Sequence, residues 1–468
     1  MKGMEIIRQS VACILLLSAA MLGAGCATLP NVTKMMNSTP TEQKPRTIVS
    51  SKGTISPRKS KDIMERLKRS VNTTDVLERH TTVVETVTES PLMDGNKVTL
   101  LSDGPATYAA MFKAIQSAKN HINLESYIIE DDETGQKFAD LLLQKQAEGV
   151  QVNLIYDSVG SIKTPVSFFQ RLENGGIHVV EFNPVNPLNG RGMLELTHRD
   201  HRKILIIDGK TAIIGGINIS KVYSSSPLKR KNTEKAPIFW RDTDIQIEGP
   251  AVRELQKLFL DTWMKQKRAK PSERNYFPAP SPLEAGTALV RIIGSMPGET
   301  NRIPFIMYVS AISFAEHSIH LTNSYFIPDD QIVKALTNAA ERGVDVKIIL
   351  PGVTDSQLSL HAQRYHYSRL LKSGVKIYEH SNSLLHAKTA VIDRVWSTVG
   401  STNMDFLSLL HNNEVNAVVL NKGFAVEMER MFARDLSNSK EIQWAVWKSR
   451  PVMPKFREWF VNLFVRWL

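Results

Sequence analysis

From residue 97 onward the chain alternates between two hydrophobic spacings. "KVTLLSDG" (97–104) reads as a strand and turn, and "ATYAAMFKAIQSA" (106–118) has helical spacing. "INLESYII" (122–129) reads as a strand, "GQKFADLLLQKQAEG" (135–149) as a helix ended by Gly149, and "VQVNLIYD" (150–157) as a strand. Strands alternating with helices predict a mostly parallel sheet covered on both faces.

The same succession returns in the second half. "SAKNHINLESYIIEDD" (117–132) is echoed by "SFAEHSIHLTNSYFIPDD" (313–330), "AEGVQVNLIYD" (147–157) by "ERGVDVKIILP" (341–351), and "LENGGIHVVEF" (172–182) by "LKSGVKIYEH" (371–380). A repeat near ~190 residues is too long for a solenoid. The chain therefore reads as α/β, with two homologous α/β/α sandwich lobes, 96–268 and 287–445. Between them, 269–286 is Pro- and charge-rich in the manner of a linker.

Outside the lobes the pattern changes. Lys2 and Arg8 flank an apolar run from Val11 to Ala24 that is followed by Cys26. At ~14 residues this run is short for a spanning helix, which needs ~20. It reads as an export signal, residues 1–26, whose ending "LGAGC" resembles a bacterial lipobox with Cys26 as the lipidated residue. An uncleaved amphiphilic anchor is the alternative. Either reading expects an exported, membrane-associated protein, lipid-anchored and facing the periplasm or cell exterior. Residues 27–95, rich in Thr, Ser, Lys and Pro, read as a flexible tether. At the other end, 446–468 holds Phe456, Trp459, Phe460, Leu463, Phe464 and Trp467 at helical intervals. An amphipathic, aromatic-rich helix too short to span is expected there, at a membrane interface rather than on the domain's own core.

Charge and cysteine content narrow the chemistry. The net charge of +11 over 468 residues favours an anionic partner. The only cysteines are Cys13 and Cys26, so neither a disulfide nor a Cys-type zinc site is available to the domain.

The most specific feature is itself duplicated. "HRKILIIDGKTAIIGGINIS" begins at His201 and "HAKTAVIDRVWSTVGSTNMD" at His386. In each, Lys follows His by two (Lys203, Lys388), Asp follows by seven (Asp208, Asp393), Gly follows Asp by seven (Gly215, Gly400), and Asn follows Asp by ten (Asn218, Asn403). His and Lys at i and i+2 share one face of a strand. Each half thus offers an imidazole, an ammonium and an amide on a common surface. That set suits a phosphoryl group, supplying a nucleophile or acid, a cation and a neutral donor. Core packing alone gives no reason for the same set to occur twice.

These paired motifs resemble the phospholipase D superfamily, and within it the bacterial cardiolipin synthases, over about 95–445. "SYFIPDD" and "RGVDVKIILPG" fit that group too. The resemblance implies one active site where the lobes meet, without metal or cofactor. It implies a phosphohistidine double displacement, with His201 as nucleophile and His386 as acid/base. Lys203, Lys388, Asn218 and Asn403 would hold the phosphoryl oxygens, and Ser401 would add a donor. It also implies an acidic residue orienting each imidazole, here Asp242 and Glu414. Asp208 and Asp393 complete the catalytic motif, although their place beyond the strand suits a local structural role. The expected substrate is phosphatidylglycerol at a membrane surface, with cardiolipin as product and no nucleic acid partner; the oligomeric state stays open. A hydrolase acting on phospholipid or nucleic acid, and an inactive lipid-binding scaffold, are the alternatives.

Two basic features flank the first motif. His198, Arg199 and Arg202 read as rim residues for headgroup charge. An insertion, 221–239, carries Lys221, Lys229, Arg230, Lys231 and Lys235, either as a basic lip or as a surface loop.

Overall fold

The protein is described here from a computed structural model covering residues 28–39, 46–185, 197–225, 239–266, 273–279, 286–297 and 302–467. The expected signal with Cys26, the basic residues Lys229, Arg230, Lys231 and Lys235, and most of the linker lie outside the described residues.

Each lobe is built on seven strands in the same order. The first has β1 (Leu92–Leu101), β2 (His121–Ser126), β3 (Gln151–Asp157), β4 (His178–Phe182), β5 (Lys203–Ile207), β6 (Thr211–Gly215) and β7 (Asp244–Glu248). They pair in the order β1-β7-β6-β5-β2-β3-β4. The second has β8 (Ala288–Ser295), β9 (Ser318–Thr322), β10 (Asp345–Pro351), β11 (Lys376–His380), β12 (Thr389–Ile392), β13 (Trp396–Gly400) and β14 (Glu414–Leu420). They pair as β8-β14-β13-β12-β9-β10-β11. β1 and β8 pair antiparallel and join the two sheets.

The expected mostly parallel sheet is corrected to a mixed one. Among these fourteen strands only β2-β3-β4 and β9-β10-β11 run parallel. The reason is local: no helix separates the motif strands. β5–β6 and β12–β13 are hairpins whose turns hold two successive left-handed residues, Asp208–Gly209 and Asp393–Arg394.

The expected tether is also corrected. Residues 46–95, with α1 (Val32–Ser38) and α2 (Pro57–Val71), fold onto the second lobe. Val32, Ile48, Val76, Leu77 and Val84 share one core cluster with Phe305 and Trp396 of that lobe. The Trp396 indole donates to His80 Nε2 at 3.0 Å, and Ile48–Ser50 pairs with β1. The polar composition had hidden a sparse apolar stripe that acquires its meaning only against a partner.

The other helices bury both faces of the sheets. Outside the first lobe, α3 (Gly104–Ser117), α4 (Glu133–Ala147) and α5 (Val166–Asn174) contribute Met111, Phe138 and Phe169 against Leu205 and Ile213. α6 (Val252–Lys265) meets the opposite face, where Phe259 packs with Ile204 and Ile214. The second lobe repeats this with α7 (Ile303–Ser313), α8 (Asp330–Glu341) and α9 (Gln357–Tyr365). α10 (Phe406–Leu410) and α11 (Lys422–Ser437) follow, and α11 joins the central cluster through Phe424 and Met428. All five residues of β5 are buried, as expected of a strand covered on both faces. α12 (Val452–Asn462) follows.

Candidate active site

Both motif histidines sit just before a central strand, beyond the carboxyl ends of the parallel strands. Ser126 at the end of β2 pairs with Lys203, and Thr322 at the end of β9 pairs with Thr389. Each histidine's backbone is then fixed by the other lobe. His201 N–H donates to Asn413 O at 3.0 Å, and His386 N–H donates to Arg241 O at 2.7 Å. A short parallel ladder pairs Trp240 and Arg241 with Leu384 and Leu385, and Asp200 bridges Asn413. Buried polar groups reinforce the joint. Arg241 grips Asp435 through two hydrogen bonds at 3.0 and 2.7 Å.

The side chains cross in the same way. His201 Nδ1 lies 3.0 Å from Glu414 Oε1, and His386 Nδ1 lies 2.7 Å from Asp242 Oδ2. Each imidazole is thus oriented by a fully buried carboxylate from the opposite lobe. With Nδ1–H donated to a carboxylate, Nε2 is the nitrogen left for chemistry.

The two halves achieve this differently. Ser401 donates its hydroxyl to Glu414 Oε2. Its counterpart Gly216 has no side chain, and a Cβ there would lie 2.4 Å from both Asp242 oxygens. The glutamate is held by a hydroxyl; the shorter aspartate sits directly on glycine. Ser401 therefore belongs to the carboxylate's support, a correction to its expected role as a substrate donor.

The lysines complete the cluster. Lys203 Nζ donates to His201 O at 2.5 Å and lies 5.1 Å from the Tyr127 ring centroid. Lys388 Nζ lies 2.9 Å from His386 Nδ1 and also contacts His386 O. Burial pulls Lys203 down to about 7 and Lys388 down to about 8; the nearby carboxylates partly oppose the fall. Burial also lowers both imidazoles, with His386 at about 4, helped down by Lys388 and held up by Asp242. Each imidazole is lowered as well by the ammonium of the opposite lobe. For Glu414, burial pushes the carboxyl up, but His201, Lys203 and Ser401 outweigh it and the net shift is down. Both shifts favour the neutral imidazole.

The asparagines lie close by. Asn218 Oδ1 accepts Ile128 N–H at 3.0 Å, and its Nδ2 lies 3.3 Å from the Tyr223 hydroxyl oxygen. Asn403 Oδ1 accepts the Ser324 hydroxyl at 2.7 Å.

The motif aspartates do not join the site. Asp208 accepts the backbone N–H groups of Lys119, Asn120 and His121 at 2.8–2.9 Å. Asp393 accepts those of Glu316, His317 and Ser318 at 2.7–2.9 Å. Each closes the entry to the parallel strand beside its hairpin, so the catalytic assignment is corrected to a structural one.

The expected rim is corrected too. Arg202 is fully buried, and it donates to Glu414 O, Ser295 O and Thr262 Oγ1 at 2.7–3.2 Å. Arg199 is buried and reaches the Ser158 hydroxyl at 3.0 Å. Both tie the lobes or loops beneath the site. Tyr127 and Tyr325 were missed. Their rings lie 5.1 Å from His201 and 6.2 Å from His386 respectively. The echo of "ESYII" in "NSYFI" carried the signal. Among the described residues, no group of three or more His, Cys, Asp or Glu side chains is placed to hold a metal ion.

Two duplicated half-sites are thus joined across one interface. The family described as "Cardiolipin synthase, PLD-like domain" matches residues 111–263 and 308–436, one segment in each lobe. The chain belongs to the cardiolipin synthase family. The cardiolipin synthase of Alkalihalophilus pseudofirmus is 34% identical over 374 residues, covering 79% of this chain and 72% of that protein. Cardiolipin synthase A of Pseudomonas aeruginosa is 33% identical over 359 residues, covering 76% and 70%. The crystal structure of phosphatidylserine synthase from Haemophilus influenzae superposes with a TM-score of 0.57. It covers 86% of this chain and 97% of its own, and at 12% identity it shows the shared fold. As a cardiolipin synthase family member, the chain is a phosphatidyltransferase of the phospholipase D superfamily.

Proposed function

We propose that the protein makes cardiolipin from two molecules of phosphatidylglycerol by a phosphohistidine double displacement. The observation that carries this reading is the pair of crossed imidazole–carboxylate contacts, which turns both Nε2 atoms over to chemistry. His201 Nε2 attacks phosphorus and His386 protonates the departing glycerol oxygen. The same His386 then takes the proton from the hydroxyl of a second phosphatidylglycerol, whose oxygen displaces His201 and leaves as cardiolipin. Lys203, Lys388 and the Asn218 and Asn403 amides hold the phosphoryl oxygens through the negatively charged transition states. The buried His386 imidazole gains its working proton when the phosphodiester anion enters beside it, while His201 keeps Nε2 unprotonated for attack.

We place the protein at a membrane of the cell exterior or periplasm. Supporting this are the lipobox-like Cys26 and the aromatic face of α12, where Phe456, Trp459 and Phe460 are exposed. No described helix is long and apolar enough to cross a membrane.

The test uses phosphatidylglycerol vesicles with a label in the phosphatidyl group. Transfer yields cardiolipin plus free glycerol; phosphatidic acid as the main product would select the hydrolase instead. A labelled enzyme adduct should be absent from His201→Ala and should accumulate in His386→Ala with an activated donor whose leaving group needs no proton. The opposite pattern would exchange the two roles, and turnover surviving in either variant would end the two-histidine mechanism.

A further inference from the structure

We propose that the mouth of this site seats directly on a phospholipid bilayer through an apolar collar contributed by both lobes. The inference rests on the phospholipid reading of the site and adds the surface through which the lipid arrives. In the first lobe, the loop after β3 carries Ile162 and leads into α5, which opens at Val166; the two are exposed at 69% and 71%. That loop packs on the site's wall: a Cβ at Gly160 would lie 2.8 Å from the Tyr127 ring, which faces His201. In the second lobe, the matching loop after β10 carries Asp355, which accepts the Tyr325 hydroxyl at 2.8 Å beside His386. It leads into α9, whose Leu358 is 55% exposed.

The C-terminal helix extends the collar. α12 packs along α9, and the turn after it, Val465–Trp467, packs on α10. α10 begins three residues beyond Asn403, so the helix is strapped across the second lobe's side of the site. Its orientation is fixed by Glu458, which is buried and takes two hydrogen bonds from Arg450 at 2.7 and 3.1 Å. That contact docks the polar side and leaves Phe456, Trp459 and Phe460 facing out. Lys448, Lys455, Arg457 and Arg466 are exposed in the same segment. Aromatics interleaved with cations match an anionic lipid interface. Continuity with a site whose substrate resides in the bilayer argues for lipid as the occupant. Phosphatidylglycerol would then reach the histidines headgroup-first without its acyl chains entering water.

The experiment uses the full chain carrying Cys26→Ser, so that a lipid at that position does not mask the effect. Flotation on phosphatidylglycerol vesicles is measured for Ile162→Asp with Val166→Asp, for Leu358→Asp, and for Trp459→Ser with Phe460→Ser. Each set should weaken vesicle binding about tenfold or more, the factor equivalent to ~1.4 kcal/mol of lost apolar burial. Turnover of dissolved short-chain phosphatidylglycerol should stay within about twofold. Unchanged vesicle binding in both the Ile162/Val166 set and the Leu358 variant would overturn the collar. So would a lipid-free dimer of the parent that these substitutions convert to monomer, because the surface would then face a second copy. The His201→Ala chain should bind vesicles like the parent. If the parent fails to turn over even dissolved phosphatidylglycerol, the functional reading fails while the binding result still decides the collar.

Discussion

Glu414→Gln tests the crossed site most directly. The side chain keeps its size and its place between His201 Nδ1, at 3.0 Å, and the Ser401 hydroxyl, but loses its charge. A hydrogen bond to a charged partner contributes about 1.5–3 kcal/mol. At about 1.4 kcal/mol per decade, losing that contact alone lowers turnover roughly 10- to 150-fold. A glutamine that turns its NH2 toward Nδ1 does more harm. It favours the tautomer with hydrogen on Nε2, which cannot attack phosphorus, and the loss then approaches ~10^4-fold. The carboxylate also holds the His201 pKa up against burial, so the variant's imidazole resists protonation further. The assay is cardiolipin formation on phosphatidylglycerol vesicles, with the labelled adduct followed in parallel and the melting temperature as a folding control. The adduct should form slowly, because the affected imidazole is the nucleophile. Asp242→Asn should instead impair release of the leaving group, although Asp242 belongs to the same lobe as His201. A Glu414→Gln enzyme with kcat/KM within about twofold of the parent would refute the role given to the crossed contact.

Three further outcomes follow from the same geometry. Anion binding should take up protons between pH 7 and 9. Burial brings Lys203 down to about 7 and Lys388 down to about 8, and an entering anion raises both, so inorganic phosphate affinity should fall as pH rises through that window. Calorimetry in buffers of different ionisation enthalpy reads the uptake, and buffer-independent heats would refute it. Gly216→Ala places a methyl 2.4 Å from both Asp242 oxygens, so turnover should drop at least about tenfold, and a kcat equal to the parent's would show the aspartate is not held there. Arg202→Met should cost at least about 1–3 kcal/mol of stability by urea unfolding, because the buried Glu414 and Ser295 carbonyls and the Thr262 hydroxyl lose their donor; an unchanged midpoint would return Arg202 to the rim.

The duplicated chemistry was legible because its spacing repeats: a motif that recurs at matched intervals is a constraint that composition cannot mimic. Asp242 and Glu414 were reachable by the same route, since each opens the strand region after its asparagine. What the sequence did not reveal is which partner each residue meets. Nothing in a linear pattern says that Glu414 serves His201 rather than His386, because the crossing arises only when two lobes face each other. Arg199 and Arg202 were misread for a related reason. Local charge density suggests solvent, whereas these guanidinium groups satisfy backbone carbonyls and carboxylates brought from distant strands. Residues 46–95 show the same limit at a larger scale, because the wall they cover belongs to the second lobe, more than 200 positions downstream.

The crossed carboxylates also set how the two copies inherit change. A lobe taken alone would retain a histidine, a lysine and an acid, but the acid would face the space where a foreign imidazole belongs. The unit of catalysis is the joint, and neither repeat is a smaller enzyme in waiting. A lesion at Asp242 is recorded in the other half's chemistry, and only a change in that other half can answer it. The repeats are thus free to drift apart over their outer helices, while the strand ends at the seam evolve as a single inheritance.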